Sequence, residues 1–189
     1  MKKLVITGYR GNELGIFDTN HPGIKIIKTA IEDRLLRMIE EGLEWVLISG
    51  QQGVEVWAAE VVLSLKKQGH SVKLSITPPF ADFTERLKPE KQAEFQQLRL
   101  AADFYQPLTS GGYQGAWQFQ ERDKFLIRNS EGTLIIYDEE QPASPQFFLK
   151  LIHDYRERQP TYYIEQVNSY DLNDTAEQLK WKEGEENGY

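Results

Sequence analysis

Residues 45–67 read WVLISGQQGVEVWAAEVVLSLKK, and this stretch decides the fold. Trp45–Ser49 is a short β-type run closed by Gly50. After a second glycine, Gly53, the residues Val54, Trp57, Ala58, Val61, Val62 and Leu65 recur at helical spacing until Gly69. The change from a continuous apolar run to a 3.6-residue period predicts a strand, a tight glycine loop and a helix with one buried side. Trp57 shares that side with Val54 and Val61, so it reads as a packing residue.

The same alternation extends in both directions. Upstream, Leu4–Thr7 is a strand ending at Gly8, and Pro22 opens a helix whose Ile24, Ile27, Ile31, Leu35 and Met38 face inward until Gly42. Downstream, Val72–Ile76 is a strand halted by Pro78 and Pro79, Pro89–Ala102 a helix, and Phe104–Tyr105 a very short strand. A helix over 116–128, a strand Thr133–Tyr137, a helix over 144–158 and a strand Thr161–Val167 complete the pattern. Strands of Val, Ile and Leu with little polar alternation belong to a sheet covered on both faces. Repeated strand–helix–strand units close through right-handed crossovers. The expected fold is therefore α/β and Rossmann-like, with a doubly wound, mostly parallel sheet flanked by helices. Residues 1–168 read as one domain, and residues 169–189 as a loosely held acidic tail.

Composition narrows the function classes. Without cysteine there is no disulfide framework, no thiolate chemistry and no Cys-bound zinc, and three histidines (His21, His70 and His153) make a poor metal set. No metal site is expected. The opening MKKLVITG carries too short an apolar run for a signal sequence, and no stretch nears the ~18 apolar residues of a spanning helix. A cytoplasmic protein without membrane insertion is expected. The net charge of -7 disfavours a nucleic-acid footprint. From Asp171 onward six carboxylates stand against two lysines, so the tail carries more than half of that charge and the body can still hold a local phosphate pocket.

In open α/β sheets, ligands bind beyond the carboxyl ends of the strands. Two loops there have suitable chemistry. Thr7-Gly8-Tyr9-Arg10 offers a hydroxyl, a glycine that permits close approach and a planar cation; the plainer reading is a strand-ending glycine beside a surface arginine. Ser49-Gly50-Gln51-Gln52-Gly53 leads into a helix whose free amides and dipole suit an anion, although an ordinary strand-to-helix connection would look the same. It is neither a G-x-G-x-x-G fingerprint nor a Walker A loop. Glu55, in the first helical turn, can grip a ribose hydroxyl, act as a general base or simply complement the helix dipole, and Glu60 suits the last of these. Phe80 follows a strand and can stack on a base or cover the core. Gln118 and Arg122 lie at i and i+4 on one helix beside Asp123, and Asp138 closes the strand ending at Tyr137.

Taken together, ITGYRGNELGIF (6–17), EGLEWVLISGQQGVEVWAAE (41–60), ITPPF (76–80) and LIIYD (134–138) resemble the YpsA-like family of Firmicutes proteins. That family sits in the SLOG superfamily with the DNA-processing protein DprA and the "lysine decarboxylase-like" LOG proteins. The likeness runs to about Val167. It implies a Rossmann-like fold and a pocket for NAD, ADP-ribose or another nucleotide, built from Gly8, Tyr9 and Arg10 with Ser49, Gly50, Gly53 and Glu55. It also implies a role in cell division or growth control in Gram-positive bacteria, hence a ligand sensor with a cell-division protein as partner; self-association into a homo-oligomer is also open. The LOG signature Pro-Gly-Gly-x-Gly-Thr-x-x-Glu is replaced here by Ser-Gly-Gln-Gln-Gly-Val-Glu, which weighs against LOG-type hydrolysis. The alternative is a nucleotide N-glycosidase or phosphohydrolase with Glu55 as base and Arg10 on phosphate. DNA binding in the manner of DprA ranks third.

Overall fold

Six strands, β1 (Lys3–Gly8), β2 (Trp45–Ile48), β3 (Lys73–Ile76), β4 (Phe104–Tyr105), β5 (Gly132–Ile136) and β6 (Tyr163–Val167), form one sheet in the computed structural model, which describes residues 1–187. Their order is β4-β3-β2-β1-β5-β6, and every neighbouring pair is parallel. Leu4 pairs with Val46 on one side and Gly132 on the other, which puts β1 at the centre. Leu4, Val5 and Ile6 are buried, as are all five residues of β5. The fold is thus the expected doubly wound, Rossmann-like α/β architecture, and its sheet is parallel throughout.

Six helices flank the sheet: α1 (Pro22–Glu40), α2 (Val54–Lys67), α3 (Pro89–Ala101), α4 (Trp117–Arg128), α5 (Pro145–Arg158) and α6 (Ser169–Asn187). Helix α2 packs between α1 and α3, α4 packs on α5, and α6 returns to α1. Right-handed crossovers explain this grouping, because the chain steps outward from β1 to β4 and then in the opposite direction from β5 to β6. Strand order reverses between β1 and β5, so a crevice opens at their carboxyl ends. The apolar positions expected on α2 are all buried, and Val56 and Ala59 join them. No helix among the described residues is long and apolar enough to cross a membrane.

The acidic segment differs from expectation. Instead of a loose tail, α6 is a capped helix docked on α1; residues 188–189 of the expected tail lie outside the described residues. The Asn168 side chain accepts from the amides of Tyr170 (3.0 Å) and Asp171 (3.2 Å), and Asp171 accepts from the Asn168 amide at 2.9 Å. This reciprocal arrangement satisfies the first-turn donors that a helix otherwise leaves open. Thr175 is buried, Lys25 pairs with Glu183, and Arg34 bonds Glu165 at 2.8 Å and approaches Asp171 at 3.8 Å.

Asp138 ties α6 to the sheet. One carboxylate oxygen accepts from the Glu140 amide at 2.9 Å, and the other from the amide and hydroxyl of Ser169. These bonds, that of the Ser169 hydroxyl foremost, hold the Asp138 carboxyl below its ordinary range. A depressed carboxyl contributes stability that is present above its unfolded pKa and lost as pH falls through its folded value. Asp138→Ala is therefore expected to lower the urea midpoint at neutral pH and speed amide exchange in residues 169–175. The difference from the parent should narrow as the pH drops below the ordinary aspartate range, which paired denaturation curves will measure.

Candidate functional site

The two glycine loops meet through their backbones. The Val54 amide donates to the Tyr9 carbonyl at 3.1 Å, and Gly53 adopts φ +109°. A Cβ at Gly53 would lie 2.5 Å from the Tyr9 oxygen and 2.6 Å from the Gly11 nitrogen, so only glycine lets the loops touch. At Gly8 a Cβ would fall 2.7 Å from the Ile136 oxygen and 3.0 Å from a Val54 methyl. The first and second sequence motifs are thus one structural unit, seated beside the end of β5.

Tyr9 turns away from the crevice into the core. Its ring packs on Tyr137 at 5.6 Å between centroids, and its hydroxyl accepts from the Asp138 amide at 2.9 Å. The same hydroxyl has the carbonyls of Gln141 (2.7 Å) and Asp138 (3.0 Å) within reach of its one proton. Burial raises the Tyr9 pKa, which keeps that proton in place. Tyr9 therefore latches the loop after β1 to the loop after β5.

Glu55 lies in the first turn of α2, and both of its oxygens are engaged. Oε2 accepts from the Ser49 hydroxyl (2.6 Å) and from the amides of Ser49, Gly50 and Gln51 (3.0 Å each), while Oε1 accepts from the Thr7 hydroxyl at 2.8 Å. Four of the five donors converge on Oε2 and the fifth on Oε1, so the carboxylate is committed first to holding the loop. The amides of residues 49–51, candidates for an external anion, are turned onto this internal one. Ser49 is buried in the same bonds. Further along the helix, Glu60 pairs with Lys28 of α1.

Beside this loop is a cleft of about 570 Å³, bounded by β1, the start of α2, and helices α4 and α5. Thr7, Gly8, Arg10, Gln51 and Glu55 form its floor, and Phe119, Arg122 and Asp123 line it from α4. The third side comes from Ser144, Phe147, Phe148 and Lys150 of α5, which the sequence pattern did not single out. Only the position of Ser144 after β5, at the opening of a helix, hinted at it.

The charges in the cleft are unevenly spent. Arg122 grips Asp123 through Nε (2.8 Å) and Nη2 (2.7 Å), while its Nη1 is buried with no partner among the described residues. Arg10 is half exposed and only loosely paired, 3.9 Å from Glu13. Asp154 is bonded to Lys150 at 2.7 Å. Burial pushes the Asp123 carboxyl up, the negative charge of Glu55 adds to this, and Arg122 opposes both. The cleft thus offers two guanidinium groups, one only loosely paired and the other with one nitrogen unpartnered among the described residues.

The other expected site residues lie elsewhere. Gln118 is fully buried: its oxygen accepts from the Gln114 amide at 2.6 Å, and its nitrogen donates to the Thr109 hydroxyl (2.8 Å) and the Gly112 carbonyl (3.2 Å). It fastens the 109–115 loop to α4. Asp138 is committed to α6, and Phe80 faces a separate chamber. The structure therefore brings Gly8, Arg10, Glu55 and Arg122 together at one cleft, with Gly50, Gly53 and Ser49 shaping its floor, and directs Tyr9, Gln118 and Asp138 to the surrounding loops.

The chain matches the YspA SLOG family over residues 4–172, and it belongs to that family. It is 45% identical to a UPF0398 protein of Brevibacillus brevis over 94% of each chain. It is 44% identical to a UPF0398 protein of Lysinibacillus sphaericus, covering 93% of this chain and 98% of the relative. A UPF0398 protein of Staphylococcus saprophyticus is 40% identical over 97% of both.

Because the loop rests on Gly53 and Glu55, substitutions there should act first on stability. Gly53→Ala forces backbone overlap at a positive φ and is expected to cost roughly 3 kcal/mol or more. Glu55→Ala strands three buried amides and should cost a similar amount, again roughly 3 kcal/mol or more. Glu55→Gln keeps an oxygen for the four donors on Oε2, and Thr7 can turn to accept from the new amide. Its thermal midpoint should therefore lie much nearer the parent than that of Glu55→Ala, a ranking that differential scanning calorimetry will check.

Proposed function

We propose that this member of the YspA SLOG family binds a nucleotide-derived ligand of the NAD or ADP-ribose kind in the cleft between α2, α4 and α5. The observation that carries the reading is the buried, unpartnered Nη1 of Arg122 in the cleft wall, because a guanidinium nitrogen out of water is costly unless an anion completes it. Arg10 stands across the same cleft with its guanidinium largely free. Phosphate oxygens supply the charge and geometry both cations need, and the Phe119 and Phe147 side chains supply apolar wall for a sugar or base.

A sensing role follows from what Glu55 does. Five donors hold Glu55, the most obvious general base, to the loop, and in this reading occupancy of the cleft, rather than turnover, is the signal. In this proposal a cytoplasmic protein partner connected with growth or cell division reads that occupancy. One observation supports a second reading, in which the protein hydrolyses its nucleotide: Asp123 is a cleft carboxyl held up towards the protonated form, suited to donate a proton to a leaving group.

Thermal shift with NAD, ADP-ribose, AMP and GMP will test the binding reading. A ligand at one hundred times its Kd stabilises by about 2.7 kcal/mol, a readily measured rise in midpoint. Arg10→Ala is expected to weaken the active ligand about tenfold or more by removing a charge-assisted bond, without lowering the midpoint of the free protein. A panel in which no nucleotide shifts the midpoint would sink the proposal. Mass spectrometry after long incubation separates the two readings: intact ligand supports the sensor, and turnover lost in Asp123→Asn supports the hydrolase.

A further inference from the structure

A second chamber, of about 390 Å³, opens on the far side of Phe119 from the arginine-lined cleft. Its walls are aromatic. The Phe80 ring centroid lies 5.5 Å from those of Phe83 and Tyr113 and 5.6 Å from that of Phe119. Such walls accept the face of a planar heterocycle. At one side stands Asp82, whose carboxylate makes no hydrogen bond or ion pair among the described residues, although its Oδ1 is buried. Arg86 also lines the chamber, 5.9 Å from the Tyr113 centroid.

A half-buried carboxylate with one oxygen out of water and unpartnered is a standing cost, and a ligand is one way of completing it. An ionised carboxylate only accepts, so its complement is a pair of adjacent donors. A second anion is excluded by charge. Among nucleobases, guanine carries two such donors side by side, N1–H and the N2 amino group, next to an O6 acceptor that suits a guanidinium. Adenine sets its one amino donor beside the N1 lone pair, which would face the carboxylate in repulsion. Phe119 joins the two chambers: the Arg122 guanidinium lies 5.3 Å from its centroid, and Phe80 packs on the same ring. One nucleotide spans such a partition, phosphate on the arginines and base among the aromatics.

We infer that the Phe80–Asp82–Phe119 chamber is a base subsite selective for a guanine-type edge, with Asp82 accepting from two ring-edge donors. The inference rests on the reading that the cleft takes a nucleotide's phosphate, and it departs from NAD and ADP-ribose in the base, which is adenine in both. It makes Asp82 a specificity residue, distinct from the groups that hold the phosphate.

Calorimetric titration of the full chain with GMP, IMP, AMP and guanosine tests this. GMP is expected to bind about tenfold or more tighter than AMP, a gap the size of a charge-assisted bond, with IMP, which lacks the N2 amino group, in between. Asp82→Asn should abolish that preference, weakening GMP and relieving the repulsion that AMP meets, whereas Arg10→Ala should weaken all three nucleotides alike. Since the carboxylate bonds to nothing, Asp82→Asn should leave the midpoint of the free protein unchanged or raise it. A marked fall would identify Asp82 as a structural group and overturn the assignment. If AMP binds as tightly as GMP and both depend on Arg10, the nucleotide reading stands and the guanine subsite falls. If neither the nucleotides nor guanosine binds, the guanine subsite falls, and a midpoint shift with NAD or ADP-ribose then decides the nucleotide reading separately.

Discussion

The Glu55 carboxylate, drawing the hydroxyls of Thr7 and Ser49 and the amides of Ser49, Gly50 and Gln51 onto itself, holds together everything at the carboxyl end of the sheet. It is an internal anion at a helix N-terminus, where backbone dipoles favour negative charge. It fastens the end of β1, through Thr7, to the loop after β2. The contact between Gly53 and the backbone of Tyr9–Gly11 presses the same two segments together from the other side. Neither feature works without the other. The carboxylate needs the loop curled tightly enough for three consecutive amides to converge, and the curl needs glycines at positive φ at positions 50 and 53.

This arrangement divides the polar residues of the site into those that build it and those that face outward. Tyr9, Gln118 and Asp138 each saturate their hydrogen-bonding capacity on neighbouring backbone or on Ser169, and each joins a loop to another element. Residues so committed are poor ligand contacts but good scaffolding, since a satisfied buried polar group fixes geometry at little cost. What remains unspent at the cleft is small in number and sharp in character: Nη1 of Arg122 and the guanidinium of Arg10. Scarcity of free groups in a well-tied pocket distinguishes a site held ready from a surface that is merely polar.

The sheet and its helices were legible because periodicity reports burial directly, and the buried side of α2 agrees residue by residue with its sequence spacing. Periodicity placed the two glycine loops at strand ends, and the family resemblance joined them into one site. Direction was not legible. Nothing in GYR says that Tyr9 turns inward while Arg10 faces the cleft, because that choice depends on backbone acceptors more than a hundred residues away, at Asp138 and Gln141. Glu55 is similar: its spacing from Ser49 permits a carboxylate that serves the ligand or one that serves the loop. The docked acidic helix was missed for a different reason. Its charge suggested a solvated tail, yet Asn168-Ser169-Tyr170-Asp171 carries a capping pair at the right spacing, with Asp in the place more often held by Glu or Gln.

Helix α4 carries the remaining link. Gln118, Phe119, Arg122 and Asp123 follow one another over little more than a turn, and they serve, in order, the 109–115 loop, the partition between the chambers, the anion-seeking guanidinium and the protonatable carboxyl. Phe119 lines both chambers, so a molecule that fills either one presses on the same ring. A conformational response requires contacts that differ between the empty and filled states. Here those contacts would concentrate on one short helix whose N-terminal end is tied by Gln118 to Thr109, Gly112 and Gln114 of the loop whose Tyr113 also walls the aromatic chamber. A helix anchored at one end and carrying an unsatisfied charge one turn later is where, on the proposed reading, a bound anion would act on the surface beyond it.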